Sequence, residues 1–208
     1  MWQFLAYYLM LALKSVVGVF GLRLYEEPLY TVLDRVNERI EIRRYGPVKA
    51  AEVALPAGDE KARDAAFRIL FDYISGANRT ASGSDLIAMT VPVALDDPDR
   101  MAMTVPVQRS QQDGMMRFFL PAKYNTIAAP QPLDPRVRLL TVPARTIAVL
   151  RYSGARGNPA VKERELLEGL KGSAWTPDGQ TYSLYYDAPF TLPFVRRNEA
   201  AVAVSKTP

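Results

Sequence analysis

A chain whose pattern of elements recurs after 97 residues has few folds open to it. Shifting the first half of these 208 residues by that amount puts Ala51 on Ala148, Gly76 beside Gly172 and Pro92 on Pro189. The same shift lays Ile87-Ala88-Met89 on Leu184-Tyr185-Tyr186. In each half the order strand, strand, helix, strand, strand is expected. Two such halves with antiparallel strands give an α+β domain whose sheet wraps into a distorted barrel or saddle, with a helix covering each part.

The local signals are clear. Ile40-Glu41-Ile42-Arg43-Arg44-Tyr45 alternates apolar and polar residues as a half-buried strand does, and Gly46-Pro47 separates it from a second extended run, Val48 to Leu55. Asp59 is placed to cap a helix running from Lys61 to Ser75. On that helix Ala62, Ala66, Phe67, Leu70, Phe71 and Ile74 form an apolar stripe, and Asp64 stands four residues before Arg68 on the polar side. Gly76 is a natural residue for leaving the helix. In the second half, Val137 to Tyr152 reads as two extended runs broken at Pro143-Ala144. Asn158-Pro159 then opens a helix striped by Val161, Leu166, Leu167 and Leu170 and ended by Lys171-Gly172. The Pro-rich stretch from Ala129 to Pro135 is expected to link the halves, as pseudo-repeats at about 30–128 and 136–205.

The first half carries one addition. Ala-Met-Thr-Val-Pro-Val occurs at 88–93 and again at 102–107, with a polar turn-forming stretch between. The plain reading is two short strands closed by their prolines, with Met89 and Met103 filling core gaps. Only the first copy has a counterpart in the second half, so the second reads as an insertion.

Composition narrows the chemistry. The chain has no His and no Cys, which removes imidazole and thiolate metal sites, iron–sulfur clusters, cysteine nucleophiles and Ser-His-Asp catalysis. Asp, Glu, Lys and Tyr remain for acid–base work, but no spacing singles out a pair. The net charge of +4 has no Lys/Arg block behind it, so a nucleic-acid partner is not expected. Residues 1–24 are largely apolar and contain no acid. They nearly reach the length of a spanning helix, although Lys14 in the middle costs about 2.5–3.5 kcal/mol there. Packing on the domain is the alternative; the favoured reading is a membrane-associated or signal-anchor segment at 1–25, with membrane contact through residues 1–24 and a folded domain at 26–208. A membrane-associated or exported location follows, with a cytoplasmic one left open.

Four stretches, in order, resemble the SOUL/haem-binding protein family. They are Ile42-Arg43-Arg44-Tyr45-Gly46-Pro47, Ile87 to Val93, Met116 to Tyr124, and Asp187 to Glu199. The likeness spans roughly residues 28–204. It implies a twofold-repeated antiparallel β-barrel of about eight strands flanked by two long helices. It also implies binding of haem or another tetrapyrrole, through a His ligand in some members and in an apolar groove along the first long helix in others. Without His, only the groove mode carries over, with Tyr or Met as the axial ligands on offer. By resemblance the groove is lined by Phe67, Leu70, Phe71 and Ile74, with Met89 and Met103 facing them. The positions matching the family's propionate-binding basic residues are Asp64 and Asp72, of the wrong sign, which leaves Arg63 and Arg68 for that role.

The expected function is therefore non-enzymatic haem or tetrapyrrole binding, for transport or buffering. One alternative is a module for another flat amphipathic or cationic molecule, suited by Asp64, Asp72 and the tyrosines at 182, 185 and 186. Another is a tetrapyrrole-modifying enzyme. For Arg196-Arg197-Asn198-Glu199 the expectation is structural: ion pairs that fix the C-terminal strand.

Overall fold

The computed structural model describes residues 26–55, 60–81, 83–96, 114–154, 159–187 and 191–207. The N-terminal segment 1–25, the cap positions Asp59 and Asn158, and the second Met-Thr-Val-Pro copy with Met103 lie outside the described residues. In chain order the elements are β1 (Tyr30–Arg35), β2 (Ile40–Tyr45), β3 (Val48–Leu55), helix α1 (Glu60–Ile74), β4 (Asn78–Arg79), β5 (Val93–Asp96), β6 (Gly114–Phe119), β7 (Gln131–Pro132), β8 (Arg138–Val142), β9 (Arg145–Tyr152), helix α2 (Pro159–Leu170), β10 (Trp175–Tyr185) and β11 (Asn198–Lys206). Gly76 and Gly172, just beyond the helices, take φ of 115° and 75°, values open to glycine, and turn the chain away.

Nine strands form one antiparallel sheet in the order β1-β2-β9-β11-β10-β5-β6-β3-β8; β4 and β7 pair separately. Leaving β1 aside, exchanging β2 with β8, β3 with β9, β5 with β10 and β6 with β11 turns the order into its own reverse. The centre of the sheet is therefore the β5–β10 pair, with Tyr185 opposite Val93. The expected closure into an eight-stranded barrel does not occur. Closure would need β2 to pair with β8, but β1 occupies the outer edge of β2, Tyr30 opposite Tyr45 through Arg35 opposite Glu41. The sheet curls without closing. Residues of β3, β8, β9 and β10 still meet on its inner face, where Val48, Val142, Ile147 and Leu184 share one apolar cluster.

Two further clusters lie on the outer face, one under each helix. Beneath α1 are Ala51, Val53 and Leu55 of β3, Met116 and Phe118 of β6, and Tyr185 of β10. Beneath α2 are Ile40 and Ile42 of β2, Ala148 and Leu150 of β9, and Ala200 and Val202 of β11. Period-two alternation explains the division: along β9, Ile147 and Val149 face inward while Ala148 and Leu150 face α2. Gly169 lets α2 sit close, since a Cβ there would overlap Ile40 Cδ1.

Other expectations change. The first tandem copy is not a strand: residues 84–92 run without a ladder apart from the Glu26–Thr90 bridge, and β5 begins at Val93, after the cis Val91-Pro92 peptide rather than before the proline. The stretch from Ala129 to Pro135 is tied down rather than a free linker, by β4–β7 pairing and by the Tyr73 hydroxyl donating to Pro130 O at 2.8 Å. Val161, placed on the core stripe of α2, is 52% exposed. Among the described residues, no helix is long and apolar enough to cross a membrane.

Candidate functional site

Helix α1 and the segment before β5 are held together from below. Ile87 N–H donates to Ile74 O at 2.8 Å. The Asn78 amide donates to Tyr73 O and Asp85 O, and Asp85 N–H returns a bond to Asn78 Oδ1. Tyr124 closes the group by donating to Asp85 Oδ2 at 3.1 Å. Burial pushes the Tyr73 and Tyr124 phenols well above the ordinary range, so both remain neutral donors. This clasp lays Met89, half-buried, against the cluster beneath α1.

The residues expected to line the groove divide by depth. Leu70 and Ile74, at 0% and 1% exposure, belong to the floor and offer a ligand no surface. Phe67 is 38% exposed, because it lies on the flank of α1 rather than under it. Its ring stacks with Phe71 one turn later, centroids 6.2 Å apart, and meets Phe118 of β6 edge-on at 5.2 Å. Phe71 is half-buried, Arg63 is half-buried and Arg68 is exposed. Helix α1 carries three acids and three bases, and Asp64 and Asp72 are exposed beside Arg68. The structure thus unites Phe67, Phe71 and Phe118 in one aromatic shelf with charges along the outer side of α1, while Met89 packs against the cluster beneath the same helix. Phe118, which supplies the shelf's third ring, was not legible as a site residue, since strand periodicity marks it only as core.

That shelf faces the middle of the sheet. Phe118 pairs with Val93 of β5, and β5 pairs with β10. From the other side, Glu163 of α2 is buried and accepts hydrogen bonds from the Thr181 and Ser183 hydroxyls of β10, both at 3.0 Å. Leu166 and Leu170 sit under α2 as Leu70 and Ile74 sit under α1, so Glu163 holds the position that Phe67 holds on the first helix. The two helices flank one central strand pair, with an aromatic flank on α1 and a carboxylate on α2.

Two concavities lie away from the shelf. An apolar slot at the corner where β2 turns into β3 and β8 into β9, with Tyr45 and Arg145 on its lining, holds about 20 Å³, room for little more than one water. Beside it, a cleft of about 200 Å³ lies against residues 26–29, which cross the sheet as a strap. Ligand sites for molecules of drug size are typically about 300–1,000 Å³, so neither admits a large flat molecule. The acids of the strap are engaged: Glu26 Oε1 accepts Ala122 N–H at 2.7 Å, and Glu27 pairs with Arg197 at 3.2 Å.

Arg197 leads into a buried charge network. Glu199, fully buried, accepts from Arg43 Nη1 at 3.0 Å, from Arg197 Nε at 2.9 Å and from the Tyr186 hydroxyl at 2.6 Å. Arg197 also stacks over the Tyr186 ring at 3.8 Å, and Arg43 over Tyr30 at 4.5 Å. Burial drives the Tyr186 phenol well above its ordinary value, with the Glu199 charge adding to it. The network joins β2, β11 and the strap, the structural role expected for Arg197 and Glu199. Among the described residues, no group of three or more Asp or Glu side chains is arranged to hold a metal ion.

Residues 25–203 match the family model described as SOUL heme-binding protein. No curated protein sequence gives a significant match. Among solved structures, the crystal structure of the EcmrR C-terminal domain aligns over 86% of this chain and 99% of its own, at 10% identity and a TM-score of 0.56. EcmrR in a cryo-EM complex with DNA aligns over 81% of this chain at 9% identity and a TM-score of 0.59, and there the chain spans 58% of the EcmrR length. An uncharacterized conserved protein from Listeria innocua aligns over 81% of this chain and 93% of its own, at 12% identity and a TM-score of 0.51. These structures share the fold.

Proposed function

Because the chain belongs to the SOUL heme-binding protein family, we propose that it binds haem or a related tetrapyrrole on the aromatic flank of α1, without His ligation and without chemical change to the ligand. The observation that carries this reading is the exposure of Phe67 within a three-ring shelf. A flat macrocycle can cover Phe67 and Phe71 and gain both apolar burial and offset stacking. The residues fit such a group: Arg63 and Arg68 supply guanidiniums for its carboxylates, and Met89, packed on the cluster beneath the same helix, supplies a thioether. Haem would bring to the site its iron and its redox chemistry; the chain's part is to hold the ring, cover one face from water and pair its acidic edge. Transport or buffering of the ligand at a membrane suits this passive role and the apolar residues 1–24.

Titrating the protein with haemin tests the reading: a saturable Soret shift at micromolar protein supports it, and no shift refutes it. Adding a reductant to the complex tests the non-enzymatic part, which predicts that the Soret band persists. The exposed carboxylates of Asp64 and Asp72 favour a second reading, a flat cationic ligand on the same shelf. Thermal shifts with haemin, metal-free porphyrin and an aromatic cation separate the two, since the favoured reading expects the cation to stabilise least.

A further inference from the structure

Large apolar side chains are exposed on a part of the surface that the shelf does not use. Leu29, the last residue of the strap before β1, is 87% exposed, and Val32 and Leu33 of β1 are 39% and 44% exposed. Leu29, Val32 and Leu33 thus lie along one rim, the open β1 edge of the sheet. The 25 residues that precede Glu26, apolar and free of acid up to the end of that stretch, join the chain at this same rim.

We propose that this rim rests on a lipid surface, with Leu29 and Leu33 entering the headgroup layer and α1 left free. The proposal builds on the membrane association inferred for residues 1–24 and adds which face of the folded domain follows them down. Three features favour lipid over a second copy of the chain. Strand β1 is the open edge of the sheet, but its register shifts between Val32 and Asp34, and its end carries Asp34 and Arg35; irregularity and charge both oppose edge-to-edge pairing. A cationic side chain nearby can meet anionic headgroups: Arg44 of β2 is exposed opposite Thr31. The Asp34 carboxylate, in contrast, is engaged by Trp175 Nε1 at 2.8 Å and by Arg35 N–H. Tyr30, held between Tyr45 and Arg43, adds an amphipathic ring of the kind that lies at headgroup depth. The apolar side chains are few, so the contact is shallow, as for an interfacial element.

The absence of Cys makes the test direct. Single variants of the full chain, Leu29→Cys and Leu33→Cys, carry a solvatochromic label, with Leu133→Cys and Val161→Cys as exposed apolar controls at 55% and 52% exposure. Each is mixed with vesicles of phosphatidylcholine containing phosphatidylglycerol. The expected result is a blue shift for labels at 29 and 33 and none at 133 or 161. If the protein binds vesicles and the two rim labels keep a solvent-like emission, the rim contact is refuted while the anchoring of residues 1–24 stands. If it does not bind, both fall. A blue shift of the rim labels without vesicles that grows with protein concentration assigns the rim to a second copy and overturns the lipid reading.

Discussion

Replacing Glu199 with Gln would test how the curled sheet is held at its core. The carboxylate is fully buried and is the meeting point of Arg43, at 3% exposure, Arg197, at 10%, and the Tyr186 hydroxyl. Gln keeps the shape but removes the charge and turns an amide NH₂ toward donors. Two guanidiniums are then left in the interior, with Glu41 2.8 Å from Arg43 and Glu27 3.2 Å from Arg197 as their remaining partners. Removing one partner of a buried ion pair costs about 3–5 kcal/mol, and the two surviving partners place this case toward the lower end. For a domain of this length each kcal/mol lowers Tm by about 2–4 °C, so a drop of roughly 6–12 °C is expected for the lower figure. Urea unfolding followed by circular dichroism would measure it, with unchanged m showing that the folded state is intact. Arg43→Met combined with Glu199→Met should recover part of the loss, because an apolar pair needs no counter-charge. A Glu199→Gln variant within about 1 kcal/mol of the parent would refute the reasoning, since that is the scale of an exposed pair.

The other predictions concern the shelf, alkaline pH and a close contact. Leu70→Ala should cost about 2–5 kcal/mol and leave the intrinsic haemin affinity of the folded protein unchanged, whereas Phe67→Ala, partly exposed already, should cost about 1–3 kcal/mol and weaken haemin binding; denaturant melts and Soret titrations check both. Burial raises the phenols of Tyr45, to about 12, and of Tyr73, Tyr124 and Tyr186. The stability held by these neutral groups is complete below the ordinary tyrosine value of about 10 and is lost as pH rises through the folded values, so tyrosinate absorbance should show a late-titrating fraction that coincides with unfolding. Gly169→Ala should gain about 1 kcal/mol of helix propensity but lose about 1–3 kcal/mol to overlap with buried Ile40, so a net stabilisation in thermal melts would contradict the close packing of α2 on β2.

Periodicity explains what could be read from the chain. Alternation marked β2 and β3 at their observed bounds, and the apolar stripes marked both helices to within a residue or so. Strand β1 escaped because an edge strand exposed along its length has no buried face to alternate against. That omission carried into the architecture: β1 takes the edge β2 would need to close a barrel, and edge occupancy is a pairing fact with no local signature. The same limit applied at the site. A helical stripe shows that Phe67 and Leu70 share a side, but how the helix is rolled on the sheet decides that Leu70 is buried and Phe67, on the flank, is not. The Arg43–Glu199 contact joins residues 156 positions apart, and Glu163 matters only beside the β10 hydroxyls that the fold brings under it.

The claim that a tetrapyrrole lies on the flank of α1 is tested most directly by amide hydrogen exchange of the full chain with and without saturating haemin. The account predicts added protection in Glu60–Ile74 and in residues 84–93, with Pro159–Leu170 unchanged. Protection centred on α2, or on the strap at 26–29, would contradict it.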